Sequence, residues 1–117
     1  MQDVHGKINY RGREYALVFN LNVMEQIQDQ YGTLEEWGRL TDGQSGEPNA
    51  KAVKYGFWAM LNEGISIEDE ENGSDTKPLT LSQVGRMITE IGMAGAAKKM
   101  NDTVVASTKL EDDGKKE

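Results

Sequence analysis

The stretch AKAVKYGFWAMLNEG, Ala50 to Gly64, has the densest apolar content in the chain and a clear helical period. Val53, Phe57, Met60 and Leu61 recur at i, i+4, i+7 and i+8, the spacing of a helix packed on a core. Ala52, Gly56 and Ala59 form a flanking edge of small residues that a second helix can approach. Tyr55 and Trp58 point to the far side, beside Lys51 and Asn62. A helix apolar on two sides is either sandwiched or presents one face to a partner, and the Tyr55/Trp58 face fits both readings. Pro48 suits the first turn of this helix and Gly64 its C-terminal cap.

Upstream, Lys7 to Asn20 reads as a β-hairpin. Ile8 and Tyr10 alternate with polar neighbours, a turn falls at Arg11-Gly12, and Tyr15, Leu17 and Phe19 continue the alternation. Two strands alone are marginal in water, so the hairpin must lie on helices or extend a sheet from another chain, which makes its edge an assembly candidate. Asn20 or Asn22 can cap a first helix carrying Val23, Met24, Ile27 and Tyr31, ended by Gly32. Thr33 with Glu36 has the spacing of a capping box for a short second helix with Leu34, Trp37 and Leu40, closed by the run TDGQSGEPN, Thr41 to Asn49.

Downstream, SIEDEENGSDTKP, Ser66 to Pro78, is acidic and poor in large apolar side chains, and reads as a solvated loop. Thr80 and Gln83 repeat the capping-box spacing and open a helix with Leu81, Val84, Met87, Ile88 and Ile91 on one stripe. After Gly92, the residues Met93, Ala96, Ala97, Met100 and Val104 share a face of a last helix. This face is small and methionine-rich, which suggests that the helix is held loosely. From Ser107 the tail STKLEDDGKKE has too little apolar surface to offset its ordering entropy. The expected architecture is α+β and mainly α-helical: an N-terminal β-hairpin, about five helices in one domain over residues 1–106, and a disordered acidic and lysine-bearing tail over 107–117.

At 117 residues the chain suits one domain, burying roughly two thirds of its unfolded surface if the whole length packs. A net charge of -7 without a Lys/Arg cluster argues against a nucleic-acid or anionic-membrane partner. The absence of cysteine excludes disulfides, thiolate metal sites and a cysteine nucleophile, and fits a reducing cytoplasm. No apolar run is long enough to span a bilayer, and MQDVHGK lacks the order of a signal peptide.

Catalytic and cofactor signals are few. The single histidine, His5, has no nucleophile or ligand motif around it. Glu68, Asp69, Glu70, Glu71 and Asp75 suggest calcium, but aligning Gly73 with the sharp-turn glycine of an EF-hand places Leu79 where the bidentate glutamate must stand. No phosphate loop is present, since the glycines at 92 and 95 lack a following Lys-Ser/Thr. Glu35 and Glu36 fall on exposed helix surface without an apolar pocket to raise a carboxyl pKa. The sequence therefore points to no catalytic residue, no metal ligand and no cofactor. Its distinctive feature is methionine: Met24, Met60, Met87, Met93 and Met100 all fall on or beside apolar faces. Flexible thioethers either fill core gaps or repack against varied partners.

The order of these pieces resembles the tail assembly chaperones of long-tailed bacteriophages over roughly Gly6 to Val104. The resemblance rests on the strand pair within GKINYRGREYALVFNLNVMEQIQDQYG running directly into a helix, on AVKYGFWAMLNEG, on PLTLSQVGRMITEIG and on a last small-residue helix. It implies a mainly helical α+β, non-enzymatic protein of the host cytoplasm. Such a protein binds the tape-measure protein and keeps it soluble before the tail tube encloses it. It further implies self-association into rings or filaments as a homo-oligomer, and proximity to the tail tube protein. Tyr55, Trp58, Met93 and Met100 are the partner-facing candidates on this reading. In many phages the chaperone is also made as a longer form by a minus-one ribosomal slip, for which Gly114-Lys115-Lys116, encodable as GGA-AAA-AAG, offers a place. The alternative is a structural tail or head-tail component, retained in the virion, that builds a ring through the hairpin edge.

Overall fold

The structure, a computed structural model, describes residues 5–42 and 46–115, with side chains between Gly6 and Thr108. The elements in order are β1 (His5–Tyr10), β2 (Arg13–Val18), α1 (Leu21–Tyr31), α2 (Leu34–Thr41), α3 (Ala50–Asn72), α4 (Leu81–Ile91) and α5 (Met93–Lys115). This is the expected hairpin followed by five helices.

β1 and β2 pair antiparallel, with Tyr10 opposite Arg13 and Ile8 opposite Tyr15. Arg11 (φ 52°) and Gly12 (φ 81°) both take the left-handed conformation that a two-residue hairpin turn demands. In such a hairpin the pair flanking the turn exchanges hydrogen bonds and alternate pairs do not. Lys7 and Ala16, an alternate pair, therefore turn their backbone groups outward. Both outward positions are covered. The Lys99 Nζ donates to the Lys7 carbonyl at 3.1 Å, and α3 passes so close to the Ala16 carbonyl that a Cβ on Gly64 would stand 2.6 Å from its oxygen. Of the two arrangements open to the hairpin, packing on helices or extending a sheet from another chain, the structure shows the first, and the chain's own helices reach both edges at Lys7 and Ala16.

α3 is the axis of the domain and touches β2, α1, α2, α4 and α5. Its buried residues, Ala52, Val53, Gly56, Phe57, Ala59, Met60, Leu61, Gly64 and Ile65, lie on more than one side, so the helix is sandwiched. The small-residue edge performs as expected: the Trp37 ring of α2 and the Met100 Sδ of α5 both pack against Gly56, and a Cβ there would lie 3.0 Å from that sulfur. Trp37 donates its indole N–H to the Ala52 carbonyl at 3.0 Å.

Local signals in the sequence set most boundaries. Asn20 accepts from the Val23 amide and caps α1; its amide group, with that of Asn22, also donates to Glu63 at 2.8 and 3.2 Å, tying α1 to α3. Thr80 and Gln83 form both halves of a capping box. Thr33 accepts from the Glu36 amide, but the Glu36 carboxylate is engaged with Arg39, so the box at α2 is one-sided. Pro48 stands before the cap rather than inside the first turn, because Asn49 caps α3 through the Ala52 amide. Part of the preceding loop, Gly43 to Ser45, lies outside the described residues.

Two boundaries differ from the sequence reading. α3 does not end at Gly64 but runs on to Asn72 and is capped by Gly73 at φ 67°, so Ser66 to Asn72 is helix and not loop. Gly64 serves close packing, and the acidic turn is secured by Asp69, whose carboxylate accepts from the Ser74 hydroxyl at 2.7 Å and from the Thr76 amide and hydroxyl at 2.9 and 2.8 Å. α5 is also held more firmly than its small residues suggested. Ala96, Ala97, Met100 and Thr103 are buried, and Asn101 donates to the Thr41 carbonyl at 3.1 Å. The backbone stays helical past Ser107 to Lys115. Packing stops earlier, with Val104 half-buried and Val105 exposed.

Candidate functional site

A groove of about 730 Å³ opens between the first half of α3 and α4, bounded by Gln30 at the end of α1 and by Met93 at the start of α5. Its floor is apolar, formed by Tyr55, Leu81, Ile88 and Met93, with Gly85 between the two α4 positions. Ile88 is buried, Tyr55 and Met93 are half-buried, and Leu81 is one of the exposed large hydrophobics at 40%. One wall carries Lys51 and Lys54, one helical turn apart on α3. Among the described residues no carboxylate lines the groove.

Glycine 85 shapes that wall. A Cβ at this position would lie 3.3 Å from the Lys54 Cδ, so the aliphatic stem of Lys54 rests over the bare backbone of α4. The Lys54 Nζ lies 3.9 Å from the same point, so the end of this long basic side chain also stays close to α4.

The partner-facing residues expected from the sequence separate into three environments. Tyr55 and Met93 line the groove. Trp58 lies next to it in a chain of rings: the Tyr31 and Tyr55 centroids are 5.9 Å apart in edge contact, and those of Tyr55 and Trp58 are 5.4 Å apart. The Trp58 indole donates to the Leu79 carbonyl at 2.9 Å, so this ring braces the approach to α4 and is not a free contact. Asn62 reinforces it, donating to the same carbonyl at 3.0 Å and accepting from the Leu79 amide at 2.9 Å. Met100, by contrast, is fully buried against Gly56 and cannot meet a partner in this arrangement. The absence of a Cβ at Gly56 draws Met100 into the core, where a looser helix would have left it outside.

The Tyr55 hydroxyl donates to the Gln26 carbonyl at 3.2 Å, and burial, followed by the nearby Asp29, pushes its pKa up. Tyr31 is raised as well, first by burial and then by Tyr55, and its hydroxyl oxygen is buried without a hydrogen-bond partner among the described residues. Leu81, Gly85, Ile88 and Lys54 were not foreseen as site residues. On the sequence Leu81 and Ile88 belong to the core stripe of α4, and only the crossing of α4 over α3 shows that this stripe is wider than the surface it covers.

Among the described residues no His, Asp or Glu group of three or more is placed to hold a metal ion. The acidic run is instead the Asp69 cap and exposed surface. No described helix is long and apolar enough to cross a membrane. The side chain of His5 lies outside the described residues. Compared with protein-family models, with curated proteins and with solved structures, the chain matches none.

Proposed function

We propose that this protein is a non-catalytic tail assembly chaperone of a long-tailed bacteriophage, acting in the host cytoplasm, where it covers apolar helices of the tape-measure protein until the tail tube encloses them. The observation that carries this reading is the groove: an apolar floor of half-buried Tyr55 and Met93, buried Ile88 and exposed Leu81, open between two helices of a small acidic domain. Such a channel suits an amphipathic helix laid in along its length, and flexible Met93 can adapt to different side chains. A tape-measure protein is long and helical, with apolar faces that need cover. The hairpin leading directly into a capped helix, the Thr80 capping box and the small-residue start of α5 are features on which the resemblance rests.

Co-expression with the tape-measure protein encoded beside this gene tests the proposal. The client should be soluble and co-purify with the intact chain, and purified virions should lack it. A client equally insoluble with and without this chain, or a stoichiometric amount of the chain in mature particles, would overturn the reading in favour of a structural tail component.

A further inference from the structure

The groove has a charge pattern opposite to that of the molecule around it. The chain carries twenty acidic and thirteen basic side chains, yet both charged residues lining the groove are lysines. Neither Lys51 nor Lys54 has a carboxylate within ion-pair distance among the described residues; Lys7, Lys77, Arg86 and Lys99 share that condition on the open surface, and it is the position of Lys51 and Lys54 in the groove that sets them apart. The Lys54 stem lies over Gly85, which brings its ammonium to the rim of the groove. An apolar channel with unpaired cations along one rim is complementary to an apolar helix with anions along one edge.

We propose that the groove selects an acidic amphipathic helix of the client, its apolar stripe lying on Tyr55, Leu81, Ile88 and Met93 and its carboxylates, three or four residues apart, meeting Lys51 and Lys54. This rests on the chaperone reading for the client's identity, while the chemistry of the groove stands apart from it. Apolar contact with the floor supplies affinity, and the lysine rim supplies orientation and discrimination between client segments. A basic helix of the same apolar pattern meets two like charges at the rim and is rejected. The acidic surface outside the groove repels an acidic helix, so capture is confined to the lysine-lined channel.

Two designed peptides of about 18 residues, roughly five helical turns, probe this directly. Both carry leucine at i, i+3, i+4 and i+7; one has glutamate and the other lysine flanking the stripe. Titration into the intact chain, followed by amide chemical shifts of α3 and α4, should show the glutamate peptide binding at least about tenfold more tightly at low salt, with the preference shrinking as salt is added. Lys51→Glu/Lys54→Glu should reverse the preference. Its fold is expected to persist, because Lys51 is exposed, Lys54 is half-exposed, and a carboxylate at position 51, in the first turn of α3, is favourable. Leu81→Ser, at the exposed first position of α4, removes apolar floor without adding charge and should weaken both peptides alike. Equal binding of the two peptides, a preference unchanged in the lysine variant, or peptide shifts elsewhere on the surface would overturn the proposal. So would self-association of the intact chain that the lysine variant abolishes, since the occupant would then be a second copy. Repeating the co-expression with Lys51→Glu/Lys54→Glu separates the two ideas. A client retained by both forms leaves the chaperone reading standing and removes the groove from it, whereas a client retained by neither removes the chaperone reading alone.

Discussion

Trp37 packs the Cε2–Cζ2 edge of its ring against Gly56 across the junction of α2 and α3, with its indole N–H on the Ala52 carbonyl one turn earlier. The contact is possible because position 56 has no side chain: a Cβ there would collide with the ring and press within 3.0 Å of the Met100 sulfur. Trp37 and Met100 are both fully buried, so neither has room to retreat. In an exposed helix, glycine to alanine gains about 1 kcal/mol from propensity. Here overpacking of about 1–3 kcal/mol or more opposes and exceeds it. Gly56→Ala should lower the urea midpoint.

Gly85→Ala provides the contrast. The neighbour of its new Cβ is the Lys54 stem at 3.3 Å, which is flexible and half-exposed and can shift by a few tenths of an ångström. Propensity should then dominate, raising stability by up to about 1 kcal/mol. Urea unfolding of both variants decides the matter, and a shift of the same sign at positions 56 and 85 would contradict this account of the α3 contacts.

Gly64→Ala tests the covered edge of the hairpin. Its Cβ would stand 2.6 Å from the Ala16 oxygen, a backbone atom that moves only if β2 moves. The cost should be about 1–3 kcal/mol, and hydrogen exchange should quicken in β1 and β2 more than in α4. Uniform quickening across the domain would mean that the hairpin is not the element displaced.

These glycines mark where the sequence could be read and where it could not. Residues whose role is local are legible: a cap at Asn20 or Asn22, of which the structure uses Asn20, Thr80 with Gln83 as a capping box, Arg11-Gly12 as a turn, and the Val53/Phe57/Met60/Leu61 stripe as core. Gly64 was misread because a glycine after an apolar run looks alike whether it stops a helix or admits a neighbour. Only the Ala16 carbonyl beside it decides between them. Ser66 to Asn72 looked like loop because the stabilising partners of Asp69, Ser74 and Thr76, lie beyond the helix end. Of the candidate site, Tyr55 and Met93 were legible as apolar residues on faces with no assigned partner. Lys54, Gly85 and the exposure of Leu81 were not, since a groove exists only once α4 has crossed α3.

The bonds that brace α4 give a graded prediction. Asn62 makes two hydrogen bonds to the Leu79 backbone, and Trp58 adds a second donor to the same carbonyl. Asn62→Ala strands the Leu79 amide in a partly buried setting and should cost about 1–3 kcal/mol. Trp58→Phe leaves Asn62 on the carbonyl and should cost about 0.5–1.5 kcal/mol. Phe57→Ala, in the core of α3, should exceed both at about 3–5 kcal/mol. Thermal or urea unfolding of the three variants should reproduce that order. A larger loss in Trp58→Phe than in Asn62→Ala would show that the ring, rather than the Asn62 amide, secures the segment.

Asp69 makes the end of α3 sensitive to acid. The Ser74 hydroxyl and then the Thr76 amide hold its carboxyl below the ordinary carboxylate value against the opposing loss of hydration, with smaller help from the Thr76 hydroxyl and the charge of Arg13. A carboxyl depressed in the folded state binds its proton less readily there than in the unfolded chain. Its contribution is therefore complete above the unfolded pKa, near 4 for an aspartate, and is lost as pH falls through the lower folded value. Below that range the Ser74 and Thr76 donors face a neutral acid, and the last turn of α3 should fray while its buried middle holds. Amide exchange and chemical shifts of residues 69 to 76, followed from neutral pH down through the carboxylate range, measure this. Asp69→Asn, which keeps an acceptor but not the charge, should show the frayed pattern already at neutral pH and little further change on acidification. If the wild-type turn stays protected below the carboxylate range, the glycine cap at position 73 (φ 67°) suffices by itself and the charge of Asp69 is dispensable.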